Sequence, residues 1–316
     1  MELSVVISLF NEQESLGELV SWIHEALAGK VADYEIIMVD DGSTDDSWAT
    51  IQGLAADDKT IRGIRFRRNY GKSAALFCGF EAAQGDIVVT MDADLQDDPT
   101  EIPEMMRMIK EDGYDLVSGW KKIRHDNKLT KNLPSKLYNA TARKVTGIKL
   151  HDMNCGLKAY RKDVVKNIEV FGEMHRFIPY LAKEAGFGNI GEKVVHHRKR
   201  KYGKSKFGLN RFINGFLDLM TIWFLQVFGR KPMHLFGLMG TGTFLVGIII
   251  AIWLIIKKLV LQGRGLVFRQ VTDQPLFYIA LLAVVIGTLM FLTGFIGELI
   301  SRNSSGRNSY NIKERF

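Results

Sequence analysis

The chain has 316 residues, 47% of them hydrophobic, and a mean hydropathy near zero. That length allows one or two domains with a full core, and such hydrophobicity is high for a soluble enzyme, so membrane segments are expected. The net charge of +7 favours a nucleic acid, an anionic membrane surface or a phosphate-rich substrate as partner. The only cysteines, Cys78 and Cys155, exclude a disulfide framework and a cysteine-rich zinc site.

The first 120 residues alternate short β-rich runs with runs of helical periodicity. Strands are predicted at 3–10, 34–43, 61–69 and 86–94, and helices at 14–27, 47–56 and 72–83. This alternation predicts an α/β fold with a doubly wound, Rossmann-like parallel sheet covered by helices on both faces. The chain enters its first strand without a charged n-region or a cleavage site, so we expect no secretory signal and a cytosolic location for this part.

Polar clusters follow the predicted strands at their carboxyl ends. They read NEQE from residue 11, DDGSTDD from residue 40, RRNYGKS from residue 67 and DADLQDD from residue 92. Ligands of open α/β sheets bind in the crevice beyond the carboxyl ends of the strands. The sequence therefore predicts a binding site at this edge of the sheet.

The DADLQDD cluster has the residue types of a metal site. Asp92 and Asp94 are two residues apart, so in an extended chain they project to the same side, with the amide oxygen of Gln96 nearby. Hard oxygen ligands suit Mg²⁺ or Mn²⁺, whereas the alternative is a set of solvated strand-end carboxylates. Asp97 and Asp98 precede a proline, and we expect both only to start the next helix.

A second acidic strand end, Asp40 and Asp41, is expected to lie beside the first. A carboxylate there can accept hydrogen bonds from a ribose or a nucleobase, whereas the alternative is that it caps the following helix. Together the two acidic ends predict a site that binds a nucleoside diphosphate through a cation.

The C-terminal part carries the predicted membrane segments. A basic stretch at 196–208 precedes an apolar segment at 208–228 that is broken by two charges, which is typical of an interfacial helix. Residues 233–256 and 275–297 contain no Lys, Arg, Asp or Glu, and each exceeds the roughly 20 residues that cross a bilayer core. They predict a transmembrane hairpin, although two buried core helices are the alternative.

Positive charges lie both between and after the two apolar segments, so the positive-inside rule does not orient them. The missing export signal favours a hairpin with both ends in the cytosol. The predicted domains are a catalytic domain at 1–206, an interfacial region at 207–231, a hairpin at 232–300 and a tail at 301–316. We expect the tail to be loose, and to lie on the membrane surface.

Other motifs are excluded by their surroundings. GFGNIG at 186–191 matches a dinucleotide fingerprint, but a helix precedes it and a strand follows it, which is the reverse of the required order. YGKS occurs at 70–73 and 202–205, but Phe66 and Arg198 replace the first glycine of a P-loop. His196 and His197 are adjacent on a predicted strand and point to opposite faces, so a shared metal is not expected.

Four segments in this order resemble glycosyltransferase family 2: SVVISLFNEQESL, IIMVDDGSTDDS, RNYGKSAALFCGFEAAQGDIVVTMDADLQDDPTEIP and YGKSKFGLNRFIN. Within that family they resemble the polyprenyl-phosphate glycosyltransferases, the group around dolichol-phosphate mannose synthase and its bacterial undecaprenyl-phosphate relatives. The likeness extends from residue 3 to about residue 302, including GFIGELISR.

The resemblance implies a GT-A fold and the inverting transfer of a sugar from a UDP- or GDP-sugar to a polyprenyl phosphate. It implies a divalent cation, Mg²⁺ or Mn²⁺, and a place in the inner, cytoplasmic membrane with the catalytic domain in the cytosol. Its partners are then the nucleotide sugar, the lipid phosphate and the membrane, with no nucleic acid. Relatives in this group include homo-oligomers.

The resemblance also implies roles for individual residues. The metal and the donor diphosphate would be held by Asp92, Asp94 and Gln96. The pocket for the nucleotide sugar would be lined by Phe10, Asn11, Glu12, Asp40, Asp41, Lys72, Asp92 and Ala93. The lipid phosphate would be bound by Lys121, Arg124, Lys158, Arg200, Ser205 and Lys206. The catalytic set would be Asp94, Arg124, Lys158 and Arg200, whereas the neighbouring Lys199, Lys201 and Lys204 are expected only to attract anionic lipid.

Two departures from the family pattern stand out. Lys121 and Lys158 replace arginines that relatives often carry, so the charge is kept but the planar fork for bidentate phosphate binding is lost. Gly156 stands where some bacterial relatives have an acidic residue, so no catalytic base is assigned there, and Asp152 is not aligned with it. A missing base is tolerable, because a lipid monophosphate with a second pKa of about 6 is largely a nucleophilic dianion at neutral pH.

Two other functions are weighed against this one. A processive polysaccharide synthase would typically carry a QxxRW motif and more membrane helices, and no QxxRW occurs in this sequence. A non-catalytic, membrane-anchored protein that binds nucleotide sugars is motivated only by the lysine-for-arginine departures. The hexose is left open between UDP-glucose, GDP-mannose and modified UDP-sugars.

Overall fold

The computed structural model describes residues 1–122, 133–202, 220, 224, 232–267, 269–303 and 312–315. The chain divides into a first unit, Met1–Met220 with Arg307–Phe316, and a second unit, Thr221–Gly306. The predicted interfacial region at 207–231 lies outside the described residues except for Met220 and Phe224, so it stays a prediction.

An eight-stranded mixed sheet runs through the described part of the first unit. Its strands are β1 (Leu3–Leu9), β2 (Tyr34–Asp40), β3 (Ile61–Phe66), β4 (Ile87–Asp92), β5 (Leu116–Trp120), β6 (Lys158–Arg161), β7 (Ile190–Val194) and β8 (Ile312–Arg315). Their order is β7-β5-β6-β4-β1-β2-β3-β8. β1 to β5 all run in one direction, as predicted for the first 120 residues, whereas β6 and β8 are antiparallel to their neighbours.

Helices cover both faces of this sheet. They are α1 (Gln13–Leu27), α2 (Ser47–Asp57), α3 (Lys72–Ala82), α4 (Ile102–Lys110), α5 (Leu133–Thr146), α6 (Lys162–Lys166) and α7 (Ile178–Glu184). Alternate residues of β1 enter two different cores: Val5 and Ile7 pack with α1 and α4, and Val6 packs with α3 and α6. Strands that are apolar on both faces are typical of such a layered sheet.

The two acidic strand ends are not adjacent. β1 lies between β2, which ends at Asp40, and β4, which ends at Asp92, so the prediction that these ends are direct neighbours is wrong. The reason is that strand order reverses at β1: β2 and β3 extend the sheet to one side and β4 extends it to the other. A crevice forms at such a reversal, and both acidic ends flank it.

The C-terminal tail contains a strand. β8 pairs antiparallel with β3, with Ile64 opposite Arg315 and Phe66 opposite Ile312. The prediction that the whole tail is loose is therefore wrong for residues 312–315. β3 would otherwise end the sheet with a row of unpaired backbone groups, and β8 satisfies them.

The second unit contains two long apolar helices, α8 (Pro232–Gly263) and α9 (Pro275–Asn303). The segments Met233–Gly263 and Pro275–Gly297 are long and apolar enough to cross a membrane, each with a hydropathy of 2.6. These segments cover both of the predicted hairpin helices. Most of their large apolar side chains are exposed, unlike those of core helices in a soluble domain.

Glycines let α8 and α9 approach closely. Gly240 and Gly247 of α8 are seven residues apart, as are Gly287 and Gly294 of α9, so each pair lies on one face of its helix. A Cβ on Gly287 would lie 2.5 Å from the backbone nitrogen of Phe244, and one on Gly240 would meet the other helix at 2.6 Å. The backbones therefore touch with no space for side chains, as in small-residue packing between membrane helices.

Replacing Gly287 by leucine should separate these helices and destabilise their packing by about 1–3 kcal/mol, because the added atoms overpack a backbone contact. Gly242 on α8 has no neighbour within 4 Å of an added Cβ, so Gly242→Leu is the matched control. Thermal unfolding in detergent measures the difference. Equal melting temperatures for the two variants would contradict the glycine contact.

Candidate active site

The loops after β1 and β2 are tied together by hydrogen bonds. The backbone N–H of Asn11 donates to Ser43 Oγ (2.8 Å), and the N–H of Thr44 donates back to Asn11 Oδ1 (2.8 Å). Asn11 has a φ of 55°, a conformation that asparagine adopts more readily than most residues. The N–H of Glu12 donates to Ser47 Oγ (3.0 Å), so this rim of the crevice is well fixed.

Both carboxylates after β2 bind their own chain. Asp40 Oδ1 accepts from the N–H of Ser43 (2.8 Å), and its Oδ2 lies 3.5 Å from Arg65 Nε. Asp41 accepts from the N–H groups of Tyr70 (2.7 Å) and Gly71 (2.9 Å), and burial nevertheless raises its pKa to about 6. Neither carboxylate caps α2. The two hold the loops of the crevice in place, and their predicted contact with a nucleoside stays a prediction.

A strained turn follows β4. Leu95 has a φ of 60°, and it and Asn11 are the non-glycine residues of the described chain with positive φ. Such strain concentrates at functional sites. The turn brings Gln96 to the segment after β7, where the N–H of Arg198 donates to Gln96 O (3.0 Å) and Gln96 Nε2 donates to Arg198 O (3.4 Å). Phe10 is half-buried and Ala93 is buried beside these loops.

Lysines surround the carboxylate of Asp92. Lys72 Nζ donates to Asp92 Oδ1, and Lys121 and Lys158 lie close by. Burial alone would raise the pKa of Asp92, but Lys72 and Lys121 outweigh it and hold the pKa at about 2. Lys158 is 3% exposed and donates to the carbonyl of Cys155, and burial lowers its pKa. Predicted phosphate ligands thus converge on the end of β4.

Asp97 does not start a helix, so that prediction is wrong for this residue. It is 1% exposed and forms an ion pair with Lys121 (2.7 Å), whose side chain is 12% exposed. Burial would lower the pKa of Lys121, but Asp97, the Cys155 thiol and Asp92 raise it above its usual value. The prediction holds for Asp98, which accepts from the N–H (3.0 Å) and Oγ1 (2.6 Å) of Thr100.

Arg200 joins two parts of the site. Its guanidinium donates to Glu12 Oε1 at the end of β1 and lies 4.0 Å from Asp94 Oδ2 after β4, while its Nε donates to Tyr202 O (3.0 Å). Burial, Asp92 and Asp97 raise the pKa of Asp94 to about 6, although Arg200 opposes them. Arg200, which is predicted to bind the lipid phosphate, therefore contacts both Glu12, predicted to line the nucleoside pocket, and Asp94, predicted to bind the metal.

Gly156 packs directly against the acidic cluster. A Cβ there would lie 2.6 Å from Asp92 Oδ2 and 3.0 Å from Asp97 Oδ2. An acidic side chain at position 156 would bring a third carboxylate into contact with those of Asp92 and Asp97. The glycine at position 156 therefore leaves room for the carboxylates of Asp92 and Asp97.

Sequence reasoning missed His175. Its Nδ1 lies 3.1 Å from Ser73 Oγ, and its N–H donates to the same oxygen (3.0 Å), beside the first residue of α3, Lys72. Burial, Lys72 and Arg176 lower the pKa of His175 well below its usual value, so the imidazole is neutral at pH 7. Its segment carries no recognised motif, and the contact joins residues a hundred positions apart.

The donor set at β4 fits a divalent cation that shares its ligands with phosphates. In the described part of the chain, no group of three or more His, Cys, Asp or Glu side chains is placed to hold a metal ion by itself. Mg²⁺ commonly takes only one or two carboxylates and completes its shell with water and substrate phosphates. Asp92, Asp94 and Gln96 suit that pattern. The predicted residues Arg124, Ser205 and Lys206 lie outside the described residues.

Comparison with solved structures identifies the same fold. Glucosyl-3-phosphoglycerate synthase from Mycobacterium tuberculosis, in complex with UDP, aligns with a TM-score of 0.53 over 71% of this chain and 79% of its own, at 20% identity. The complex of that enzyme with Mn²⁺, UDP-glucose and glycerol 3-phosphate aligns with a TM-score of 0.51 at 21% identity, over 71% of this chain and 79% of its own. At this identity the likeness concerns the fold, which is GT-A as predicted.

Comparison with known sequences identifies the family. Dodecaprenyl-phosphate galacturonate synthase of Rhizobium johnstonii is 34% identical over 96% of this chain and 88% of its own. Undecaprenyl-phosphate 4-deoxy-4-formamido-L-arabinose transferase of Shewanella sediminis is 37% identical over 95% of this chain and 87% of its own. The model of glycosyl transferase family 2 matches residues 4–169. The chain is therefore an enzyme of glycosyl transferase family 2, and it is similar along nearly its whole length to polyprenyl-phosphate glycosyltransferases.

Proposed function

We propose that the protein transfers a sugar from a nucleotide diphosphate sugar to a polyprenyl phosphate, with inversion and with Mg²⁺ or Mn²⁺. The observation that carries this proposal is the pairing of Asp92 and Asp94 with the cations Lys72 and Arg200 at one edge of the sheet. The carboxylates can bind a metal ion, and the cations can bind phosphate groups. The site therefore suits two substrates that both carry phosphate. The names of the relatives point to the same reaction.

The roles of the side chains follow from charge. A bound divalent cation held by Asp92 and Asp94 would stabilise the charge that develops on the leaving diphosphate. Lys72 and Arg200 lie where they can neutralise phosphate oxygens, and electrostatic stabilisation of this kind usually contributes more to catalysis than any other single effect. The acceptor phosphate is already a dianion at neutral pH, so no side chain has to remove a proton from it.

A pocket beside the site suits the nucleoside. It is lined by Asn11, Glu12, Gln13, Glu14, Asp45 and Tyr202. Carboxylates accept hydrogen bonds from the hydroxyl groups of a ribose, and the ring of Tyr202 offers a flat surface for a base. Glu12 lines this pocket and also pairs with Arg200, so a nucleoside bound there would lie next to the cation-rich edge.

The proposed location is the cytoplasmic membrane, with the catalytic domain in the cytosol. The chain leaves the first unit, makes the two apolar helices, and returns to the first unit with β8. Two membrane crossings return a chain to the side from which it started, which agrees with a hairpin that has both ends in the cytosol. In this arrangement the catalytic domain would meet its lipid phosphate acceptor at the cytosolic face.

The test is a transfer assay with the purified full chain in detergent. Undecaprenyl phosphate, Mg²⁺ or Mn²⁺ and a panel of UDP- and GDP-sugars should give release of one nucleoside diphosphate and a lipid-linked monosaccharide, identified by mass spectrometry. Release of nucleotide without a glycolipid would refute transfer to this acceptor, and a long polymer would instead indicate a processive synthase.

A matched pair of variants tests whether Arg200 belongs to the site. Arg200→Ala should lower kcat/KM by about 10²-fold, because it removes the cation that joins Glu12 to Asp94. Lys201→Ala removes an exposed ion pair with Glu18 and a contact with the ring of Tyr202, and it should leave the rate within about twofold. Equal losses in the two variants would argue that this segment acts only through its overall charge.

A further inference from the structure

The lysine that covers Asp92 is the most accessible of the three around it. The side chain of Lys72 is 32% exposed, and that of Asp92 is 35% exposed. Lys121 is held by Asp97 and is 12% exposed, whereas Lys158 is buried and bound to the carbonyl of Cys155. Lys72 is therefore the cation that can leave Asp92 for solvent or for a ligand.

Lys72 occupies the oxygen of Asp92 that does not lie against Gly156. A Cβ on Gly156 would come within 2.6 Å of Asp92 Oδ2, so this oxygen lies against the backbone of Gly156. Asp92 Oδ1 accepts from the ammonium of Lys72. Two cations at one carboxylate oxygen repel each other. A divalent cation bound through Oδ1 would therefore compete with the ammonium group of Lys72.

The residues on both sides of Lys72 are hydrogen-bonded to other segments. The N–H of Gly71 donates to Asp41 Oδ2 (2.9 Å), and Ser73 is bonded to His175 through its hydroxyl and through the N–H of that histidine. The long, flexible chain of a lysine can then exchange one anion for another without a change in the fold.

On the basis of the proposed function, we propose that Lys72 is a displaceable occupant of the metal position, and that it leaves Asp92 when a nucleoside diphosphate provides a new anionic partner. The metal then binds weakly to the empty enzyme and strongly together with the nucleotide. The diphosphate contributes twice, because it gives oxygen ligands to the metal and accepts the ammonium group of Lys72. By thermodynamic linkage, the metal must then increase the affinity for the nucleotide by the same factor.

Mn²⁺ binding to the full chain in detergent tests this directly, with the free ion measured by electron paramagnetic resonance. For the unmodified protein we expect UDP or GDP to tighten Mn²⁺ binding by at least about tenfold, which is 1.4 kcal/mol of coupling. Lys72→Gln should bind Mn²⁺ about tenfold more tightly without nucleotide and should show a smaller effect of nucleotide. Lys72→Arg keeps the competing cation and should bind Mn²⁺ as weakly as the unmodified protein.

Two controls locate the effect. Lys201→Gln removes an exposed lysine that pairs with Glu18 and should leave Mn²⁺ binding unchanged. The double variant Lys72→Gln/Asp94→Asn should lose the higher Mn²⁺ affinity of Lys72→Gln. That loss would show that the extra Mn²⁺ binding of Lys72→Gln occurs at this site. Circular dichroism and thermal unfolding establish that each variant is folded.

Equal or weaker nucleotide-free Mn²⁺ binding by Lys72→Gln would overturn the role of Lys72. Absence of Mn²⁺ binding to any form, even with nucleotide, would overturn it together with the metal part of the proposed function. If the coupling is found but no sugar reaches undecaprenyl phosphate, the role of Lys72 stands and the proposed transfer reaction fails. The two proposals are therefore distinguished by different measurements.

Discussion

Replacing Asp94 by asparagine should lower kcat/KM by at least about 10²-fold, because it removes one of the two carboxylates available to the cation and its negative charge. The same change should make the metal-free protein more stable at pH 7.5. Asp94 is crowded by Asp92 and Asp97 in a buried setting, and these raise its pKa to about 6. Its charge is therefore unfavourable in the empty fold.

The stability gain should depend on pH. A carboxyl group whose pKa rises from 3.8 to about 6 on folding holds its proton more tightly in the folded state. The folded state therefore loses stability as pH rises from about 4 to about 6, and this loss persists above that range. Asp94→Asn removes the loss, so its advantage should be on the order of 1–3 kcal/mol at pH 7.5 and should vanish below about pH 4.

Thermal unfolding in EDTA across this pH range, alongside transfer kinetics, measures both effects. Asp163→Asn is the control, since Asp163 is 64% exposed and pairs with the surface residue Arg161, and it should change neither quantity. A variant that is inactive and also less stable at pH 7.5 would show that Asp94 supports the fold and is not strained within it.

Gly156→Ala should lower kcat/KM by about 10- to 100-fold, although it adds only one methyl group. The new Cβ would lie 2.6 Å from Asp92 Oδ2 and 3.0 Å from Asp97 Oδ2, so the carboxylate of Asp92 must move. Misplacement of a catalytic group by about 1 Å costs on the order of 10²-fold. In the nucleotide-free enzyme Lys72 also binds the other oxygen of Asp92, which limits how the carboxylate can turn.

Gly188→Ala is the matched control, because an added Cβ there meets nothing within 4 Å and its backbone is not in the left-handed region. Its activity and its melting temperature should stay near those of the unmodified protein. The metal concentration needed for half-maximal rate should rise in Gly156→Ala and not in the control. An unchanged rate in Gly156→Ala would mean that the Asp92 carboxylate is not held as tightly as its contacts indicate.

Several features of the fold are readable from the sequence because they depend on local patterns. β1 is buried along nearly its whole length, and its residues are mostly apolar, so it stands out without any knowledge of its neighbours. The polar clusters after β1, β2 and β4 mark the carboxyl edge of the sheet, which is where parallel strands place their ligands. The general position of the site follows from these two patterns alone.

Other features depend on contacts between distant residues, and no local pattern reports them. Asp97 and Asp98 are adjacent in sequence, yet one turns inward to Lys121 and the other caps the following turn. The meeting of Glu12, Asp94 and Arg200 joins three segments that are far apart in the chain. The reversal of strand order at β1 likewise requires knowledge of how the whole sheet is assembled.

The pairing of β8 with β3 has a consequence for biosynthesis. A chain folds from its N-terminus as it leaves the ribosome, so β3 is complete long before β8 exists. Both apolar helices are made in the interval, and during that time the edge of β3 has no partner of its own. An unpaired edge attracts strands from other chains. Any delay in producing or inserting the two helices therefore prolongs the period in which a half-made chain is prone to misassembly.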